Sequence, residues 1–467
     1  MLTTFNVSVI LGPRAALRAG FTRSRALLFG LMMSLSACGL LDTDQPNIID
    51  PGNLDGPEGA ATRRIGAISD FAFAKDGDGD LDEGITEGEV LLSGLMADEF
   101  VLSTTPPTEQ EVDQRRVFDN NSSLFAVFHN LHRARAAAEG AAAALREFGA
   151  DPDTDPGIGE MLSLAGFTYI YFGEDYCSGV PFSRLEGDNL VFGLPQTTTE
   201  IFQTAIARFD AALAEPGTVA EGSQEVFYLA SLGKARALLN MGNTNAAAAA
   251  AIAALVPTEF QYVTEHADSP PRLQNAIYGY STGFLWSVSD VEGGVGLPFL
   301  TAADPRVPYT DEGDVGLDGT TPQFTLNKYA DASAPVVVAD GIEARLIEAE
   351  AQLQAGDLPG VTATLNGIRQ AFPDLGLADL AEPGTQPEAV DLVFAERAFW
   401  MFATGHRLGD MRRLVRPAPA GYGRPVDTVF PTGTYIKGGA YGADVNLPIP
   451  IEEQNNPNSA GCLDRNP

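Results

Sequence analysis

The chain has 467 residues, enough for two or three domains or one large body built from repeats. It carries 62 acidic residues against 29 basic ones, a net charge of −33. That balance repels phosphate backbones and anionic headgroups, so nucleic acid is excluded as a partner. It suits an exported, soluble body with an uncharged or cationic ligand.

The first segment, 1–37, reads as a removable export signal. Arg14, Arg18, Arg23 and Arg25 precede an apolar run at 26–35, about half of the ~20 residues a spanning helix needs. The run ends in Leu35-Ser36-Ala37-Cys38, which resembles the bacterial lipobox. Lipidation of Cys38 would anchor the mature chain to a membrane. An ordinary signal peptide with a chance cysteine is the alternative. Residues 38–61 are polar and rich in Pro, Gly and Asp, as in a flexible tether. No later stretch is long and apolar enough to span a membrane.

The body, 62–467, is mainly α by its periodicity. Helical patterns occur at 63–73, 87–100, 124–148, 158–172, 198–213, 225–241 and 245–255, then at 341–355, 358–372, 387–404 and 409–415. They predict a scaffold over about 63–265 and 341–416. Between the first two helices, Asp76, Asp78, Asp80, Asp82 and Glu87 fall at positions 1, 3, 5, 7 and 12 of a calcium loop. Leu81 stands where that loop needs glycine, and a solvated acidic turn is the alternative. Structural calcium is the one cofactor the sequence suggests.

Two helix pairs have the marks of tetratricopeptide units. Leu232-Gly233, Gly242 and Pro257 punctuate one, and Ala349, Gly356, Leu365 and Pro373 the other. Beyond Cys38 only Cys177 and Cys462 remain. In an oxidising compartment an even remainder predicts a bridge, with two free thiols as the alternative.

Residues 266–340 lose helical period and gain Gly, Pro and aromatics, as do residues 417–467. They read as a loop-rich lobe and a tail, with short strands at 284–288 and 336–338. Long ordered loops in a compact body commonly carry function. Trp286, Tyr278, Tyr280 and Phe284 cluster there. Flat aromatic faces stack on sugar C–H patches, so these four are candidate ligand contacts. Packing of a small lobe is the other explanation.

Residues 394–416 mix an apolar helical stripe with Glu396, Arg397, His406, Arg407, Asp410, Arg412 and Arg413. An acid–base site and a structural ion network both fit. The density of arginine favours a network of Glu396, Arg397, Arg407, Asp410 and Arg413. No HExxH, nucleophile elbow or phosphate loop is present, and catalytic residues are not predicted.

At this point the chain resembles the SusD/RagB-like family of outer-membrane nutrient-binding lipoproteins. The resemblance rests on Glu396-Arg397 with Gly405, Arg407, Asp410 and Arg413. It also rests on Ala349-Glu350-Ala351 with Gly356-Asp357 and Leu365-Asn366-Gly367-Ile368-Arg369, and on Leu447-Pro448-Ile449-Pro450 with Asn456-Pro457. Lesser echoes are Asp98-Glu99, Asp304-Pro305-Arg306 and Lys328-Tyr329. It implies a tetratricopeptide-like α-α superhelix with an irregular ligand lobe. It further implies a lipid-anchored protein of the outer membrane, facing the exterior. Such a protein is not an enzyme: it captures an oligosaccharide or peptide for a SusC-like TonB-dependent transporter. A tetratricopeptide scaffold for envelope assembly and a surface glycoside hydrolase are the competing functions.

Overall fold

The computed structural model describes residues 55–79, 87–187 and 189–467. Cys38, the signal segment and most of the tether lie outside them.

Thirteen α-helices occur among the described residues. They are α1 Pro57–Asp76, α2 Glu89–Met96, α3 Pro107–Asp113, α4 Ser122–Phe148, α5 Pro156–Asp175, α6 Thr198–Ala214 and α7 Gln224–Asn240. The series continues with α8 Ala246–Ala253, α9 Ala276–Thr282, α10 Gly341–Ala355, α11 Leu358–Ala371, α12 Gln386–Trp400 and α13 Arg407–Val415. Local chemistry sets many of their starts. The Asn121 side chain accepts the Leu124 N–H at the head of α4, and Thr197 with Glu200 forms a capping box on α6. Gly356 ends α10 in the left-handed region (φ 73°), and Asp357 then caps α11.

Neighbours along the chain are neighbours in space. α4 packs on α1 and α5, α5 on α6, α6 on α7, and α7 on α8. α8 then meets α10, which packs on α11 and α12. This is the helix-pair scaffold the sequence implies. Its close contacts depend on glycine. A Cβ on Gly233 would come within 2.2 Å of the Phe209 ring, and one on Gly166 within 2.6 Å of it. Phe209 of α6 is thus seated against α5 and α7 where only glycine leaves room.

The lobe leaves the scaffold after α8 and returns before α10. An antiparallel pair, Gln261–Thr264 with Val336–Asp340, closes its neck. Asp340 ends that ladder and accepts the Glu343 N–H (2.8 Å), which starts α10. Inside the lobe, Trp286–Val288 pairs with Phe100–Leu102, and Tyr309–Val315 with Pro322–Leu326. All sheets among the described residues are two-stranded. Cys177 and Cys462 form a disulfide (Cα–Cα 5.7 Å). Leu447 N–H donates to Asp175 C=O (2.7 Å) and Cys177 N–H to Leu447 C=O (2.9 Å), so the tail is laced to the end of α5. No helix among the described residues is long and apolar enough to cross a membrane.

Two boundaries and several short elements differ from expectation. α1 begins at Pro57 and takes the last part of the expected tether. The helix expected at 87–100 stops at Met96, because Phe100–Leu102 is drawn into a strand pair with the lobe. α3 and α9 have seven residues each, too few for a periodic signal. Strand pairs Val180–Pro181 with Pro195–Gln196 and Tyr309–Val315 with Pro322–Leu326 form where the sequence predicts no strand.

Candidate ligand cleft

The charged stretch that begins on α12 fixes the lobe and tail to the scaffold. Asp410 receives Arg397 through two hydrogen bonds (2.8 and 3.0 Å) and Arg413 through one (2.7 Å). Arg413 also bonds Glu350 on α10. These two guanidinium groups outweigh burial and hold the Asp410 carboxyl well below the usual carboxylate range. Arg407 grips Asp98 with two bonds (2.6 and 2.8 Å), and Asp98 Oδ2 also accepts the Leu297 N–H of the lobe. Glu396 takes part in a third cluster, with Arg306 of the lobe (2.8 Å) and Arg369 of α11 (3.0 Å). The five expected residues are therefore all in buried ion pairs, divided among three clusters.

The short echoes supply the partners. Asp98 meets Arg407, and Arg306 meets Glu396. Glu99 accepts the Ala403 N–H (2.9 Å), while Lys328 and Tyr329 donate to the carbonyls of Phe402 and Ala403 (2.5 and 2.8 Å). His406, the histidine of the acid–base alternative, is enclosed by the same network. Its ring is 2 % exposed and lies between Arg236 Nη1 (2.7 Å) and Thr404 Oγ1 (2.9 Å). Burial first, then Arg236, keeps it neutral.

The aromatic candidates divide. Trp286 and Tyr280 are each 1 % exposed, with rings 5.1 Å apart, and Trp286 Nε1–H donates to Glu109 (2.9 Å). This corrects the expectation of a sugar-stacking surface on them: their faces are covered by core. Tyr278 and Phe284 are half-buried. The ends of the expected calcium loop are also engaged elsewhere. Asp76 is buried against Lys75 Nζ (2.8 Å). Glu87 accepts from Ser123 Oγ (3.0 Å), and burial followed by Glu109 pushes its carboxyl up to about 8. Asp80 and Asp82 lie outside the described residues. Among those described, no group of three or more His, Cys, Asp or Glu is arranged to hold a metal.

A cleft of about 350 Å³ opens where the lobe meets the tail. Residues 288–293 form one wall, Thr321, Pro322 and Phe324 a second, and Thr434, Ile436 and Tyr441 of the tail a third. Val291 and Ile436 are exposed (42 % and 53 %). Phe324 is half-buried and held edge-on by Tyr309 (5.8 Å), and Tyr441 is likewise held by Tyr435 (5.4 Å). Asp290 is oriented by the N–H groups of Leu300 and Thr301 (3.0 and 3.1 Å). Fixed aromatic and aliphatic patches beside a few oriented polar groups are what a neutral amphipathic ligand needs. Behind the cleft, Tyr441 Oη–H donates to Glu292 (2.9 Å) and Tyr435 Oη–H to Asp113 (2.6 Å). Burial pushes Asp113 up to about 6 and Glu292 well above its ordinary value.

The cleft borders the lobe that the sequence singles out, but Trp286, Tyr278, Tyr280 and Phe284 do not line it. Phe324, Ile436 and Tyr441 went unnoticed. The one available signal was the glycine-rich stretch 433–442 around two tyrosines.

The layout of this scaffold, with lobe and tail laid over it, recurs in solved structures. A SusD superfamily protein from Parabacteroides distasonis superposes with a TM-score of 0.63 at 15% identity, over 87% of this chain and 98% of that one. NanU of B. fragilis gives 0.61 at 13% identity, over 90% and 100%. A SusD-like carbohydrate binding protein from Bacteroides fragilis gives 0.60 at 13%, over 85% and 99%. This chain has the SusD-like fold. No protein-family model and no curated protein matches its sequence. At these identities the likeness is one of fold.

Proposed function

We propose that this protein is a non-enzymatic binding protein that captures a glycan in the lobe–tail cleft. In this reading a SusC-like TonB-dependent transporter receives the ligand, with peptide as the second ligand class. Lipidated Cys38 would hold the body at the outer membrane, facing outward. The observation that carries the reading is a preformed cleft of aromatic edges and oriented polar groups at the lobe–tail junction of a SusD-like fold. A fold neighbour described as carbohydrate binding adds support. The chemistry of the cleft fits binding better than hydrolysis. Its buried acid, Glu292, is already hydrogen-bonded to Tyr441, and Asp290 is occupied by backbone donors. A glycosidase needs two carboxyls facing its substrate across ~5–10 Å.

A glycan and peptide array probed with the mature chain tests the proposal. Binding should be lost, ~10-fold or more, in Phe324→Ala with the fold intact by circular dichroism. Loss of one stacking contact accounts for a change of that size. Binding to no glycan, or release of products from a polysaccharide panel, would overturn it.

A further inference from the structure

The loop 433–441 supplies one wall of the cleft, through Thr434, Ile436 and Tyr441. Its anchorage is unusual. It closes on itself through a Thr434–Ala440 bridge, and Tyr441 N–H donates to Gly433 C=O (3.1 Å). Two tyrosines then fasten it to the body: Tyr435 to Asp113 at the end of α3, and Tyr441 to Glu292 of the lobe. The far oxygens of these acids, Asp113 Oδ1 and Glu292 Oε2, are buried with no hydrogen-bond donor, and the two acids repel one another behind the cleft. Two buried carboxyls that lack donors and face each other favour keeping a proton between them.

We propose that the Asp113–Glu292 pair is a proton-operated clasp that holds loop 433–441 over the cleft and releases it as the pair ionises. The proposal rests on the reading of the cleft as the ligand site and adds its regulation.

The surrounding cations are mostly engaged elsewhere and offset a second ionisation only in part. Lys437 is paired with Asp318 (2.7 Å). Arg407 is held by Asp98, and Asp98 itself adds negative charge facing Glu292. Arg115 is closest in role, but Asp444 competes for it, its Nε donates to Asp444 C=O (2.9 Å), and its face covers Phe430. With one shared proton the pair bears a single negative charge and accepts both tyrosine bonds. With none, two like charges face each other away from water, and the least costly relief is outward movement of the loop that carries Tyr435 and Tyr441. Both acids hold protons more tightly folded than unfolded. The clasp is therefore closed on the acid side and opens as pH rises.

Hydrogen exchange of the mature chain, corrected for intrinsic rates, tests this at pH 5.5 and 8.5. Amides of 433–441 should lose protection ~10-fold or more at the higher pH, the change expected for one unit of titration, while α4 stays protected. Glu292→Gln cannot ionise and should keep the loop protected at both values. If that variant does not fold, Asp113→Asn makes the same test. Unchanged protection in the unaltered chain, or an equal loss in the variants, would overturn the clasp. A chain that binds glycan with a pH-insensitive loop refutes the clasp alone. A loop that opens in a chain binding no glycan refutes the proposed function alone.

Discussion

Around α13, Asp410 lies between Arg397 and Arg413 and stays ionised far below its ordinary range. Beside the cleft, Asp113 faces Glu292 and the Tyr435 hydroxyl, and it holds a proton up to about pH 6. Both carboxyls are buried, so burial alone does not set their state. Counter-charge does. Where the scaffold supplies guanidinium groups, acids become fixed charges that lock helices together. Where it withholds them, acids become titratable joints. The same contrast recurs nearby. Glu87 is pushed up to about 8, first by burial and then by Glu109.

The largest expected effect comes from removing charge on the locked side. Asp410→Ala leaves Arg397 and Arg413 buried with one partner fewer, and breaking such a cluster costs ~3–5 kcal/mol. Urea denaturation should show that loss with little change in m. A loss below ~1 kcal/mol would mean that the arginines find water, and the contrast with the cleft acids would collapse.

Next in size is the response to pH. The folded values of Glu87, Glu89, Glu99, Asp113 and Asp340 are raised, to about 8, 7, 8, 6 and 6, chiefly by burial. A raised acid binds its proton better in the folded state. Its contribution is intact below the unfolded value near 4 and is lost as pH climbs through the folded one. Asp76, Asp304 and Asp410 are lowered and act in the opposite sense, losing their contribution as pH falls below about 4. Neutral His132 and His406, held down by burial, lose their contribution from about pH 6.5 downward, which opposes the gain from the raised acids and steepens the acid limb. Stability should therefore peak between about pH 4 and 6 and fall on the order of 1–3 kcal/mol by pH 8. Glu99→Gln should flatten the decline. A chain equally stable at pH 5 and 8 would show that these acids are not protonated when folded.

How much of this was legible follows from the range of each interaction. Long helices announce themselves by period, and Gly233 marked a close helix contact that Phe209 fills. Cys177 and Cys462 were readable because only two cysteines were left to pair. The ion partners were visible as the short motifs around Asp98 and Arg306, although their assignment to three clusters was not. The cleft was opaque because its residues come from three distant segments. Asp113, Glu292 and Tyr435 meet only through tertiary folding. Trp286 misled for a related reason. A tryptophan in a loop-rich stretch looks available until the partner strand at Phe100–Leu102 and the Glu109 carboxylate are known.

The smallest effect sharpens the contrast from its surface side. At the head of α12, Thr385 N–H and Gly384 N–H donate to the Glu388 carboxylate (3.0 and 2.8 Å), and Glu388 N–H reaches Thr385 Oγ1 at 3.4 Å. Glu388 is exposed and bound by neutral donors. The cap is local and wet, and one of its bonds is long, so Thr385→Ala should cost only ~0.5–1 kcal/mol. Because no buried proton is involved, that cost should be the same at pH 5 and pH 8, while the parent chain loses stability between them. A cap cost that changed with pH would tie α12 to the titrating acids. It would imply that locked and titratable regions are one coupled network, not two separate uses of the same side chain.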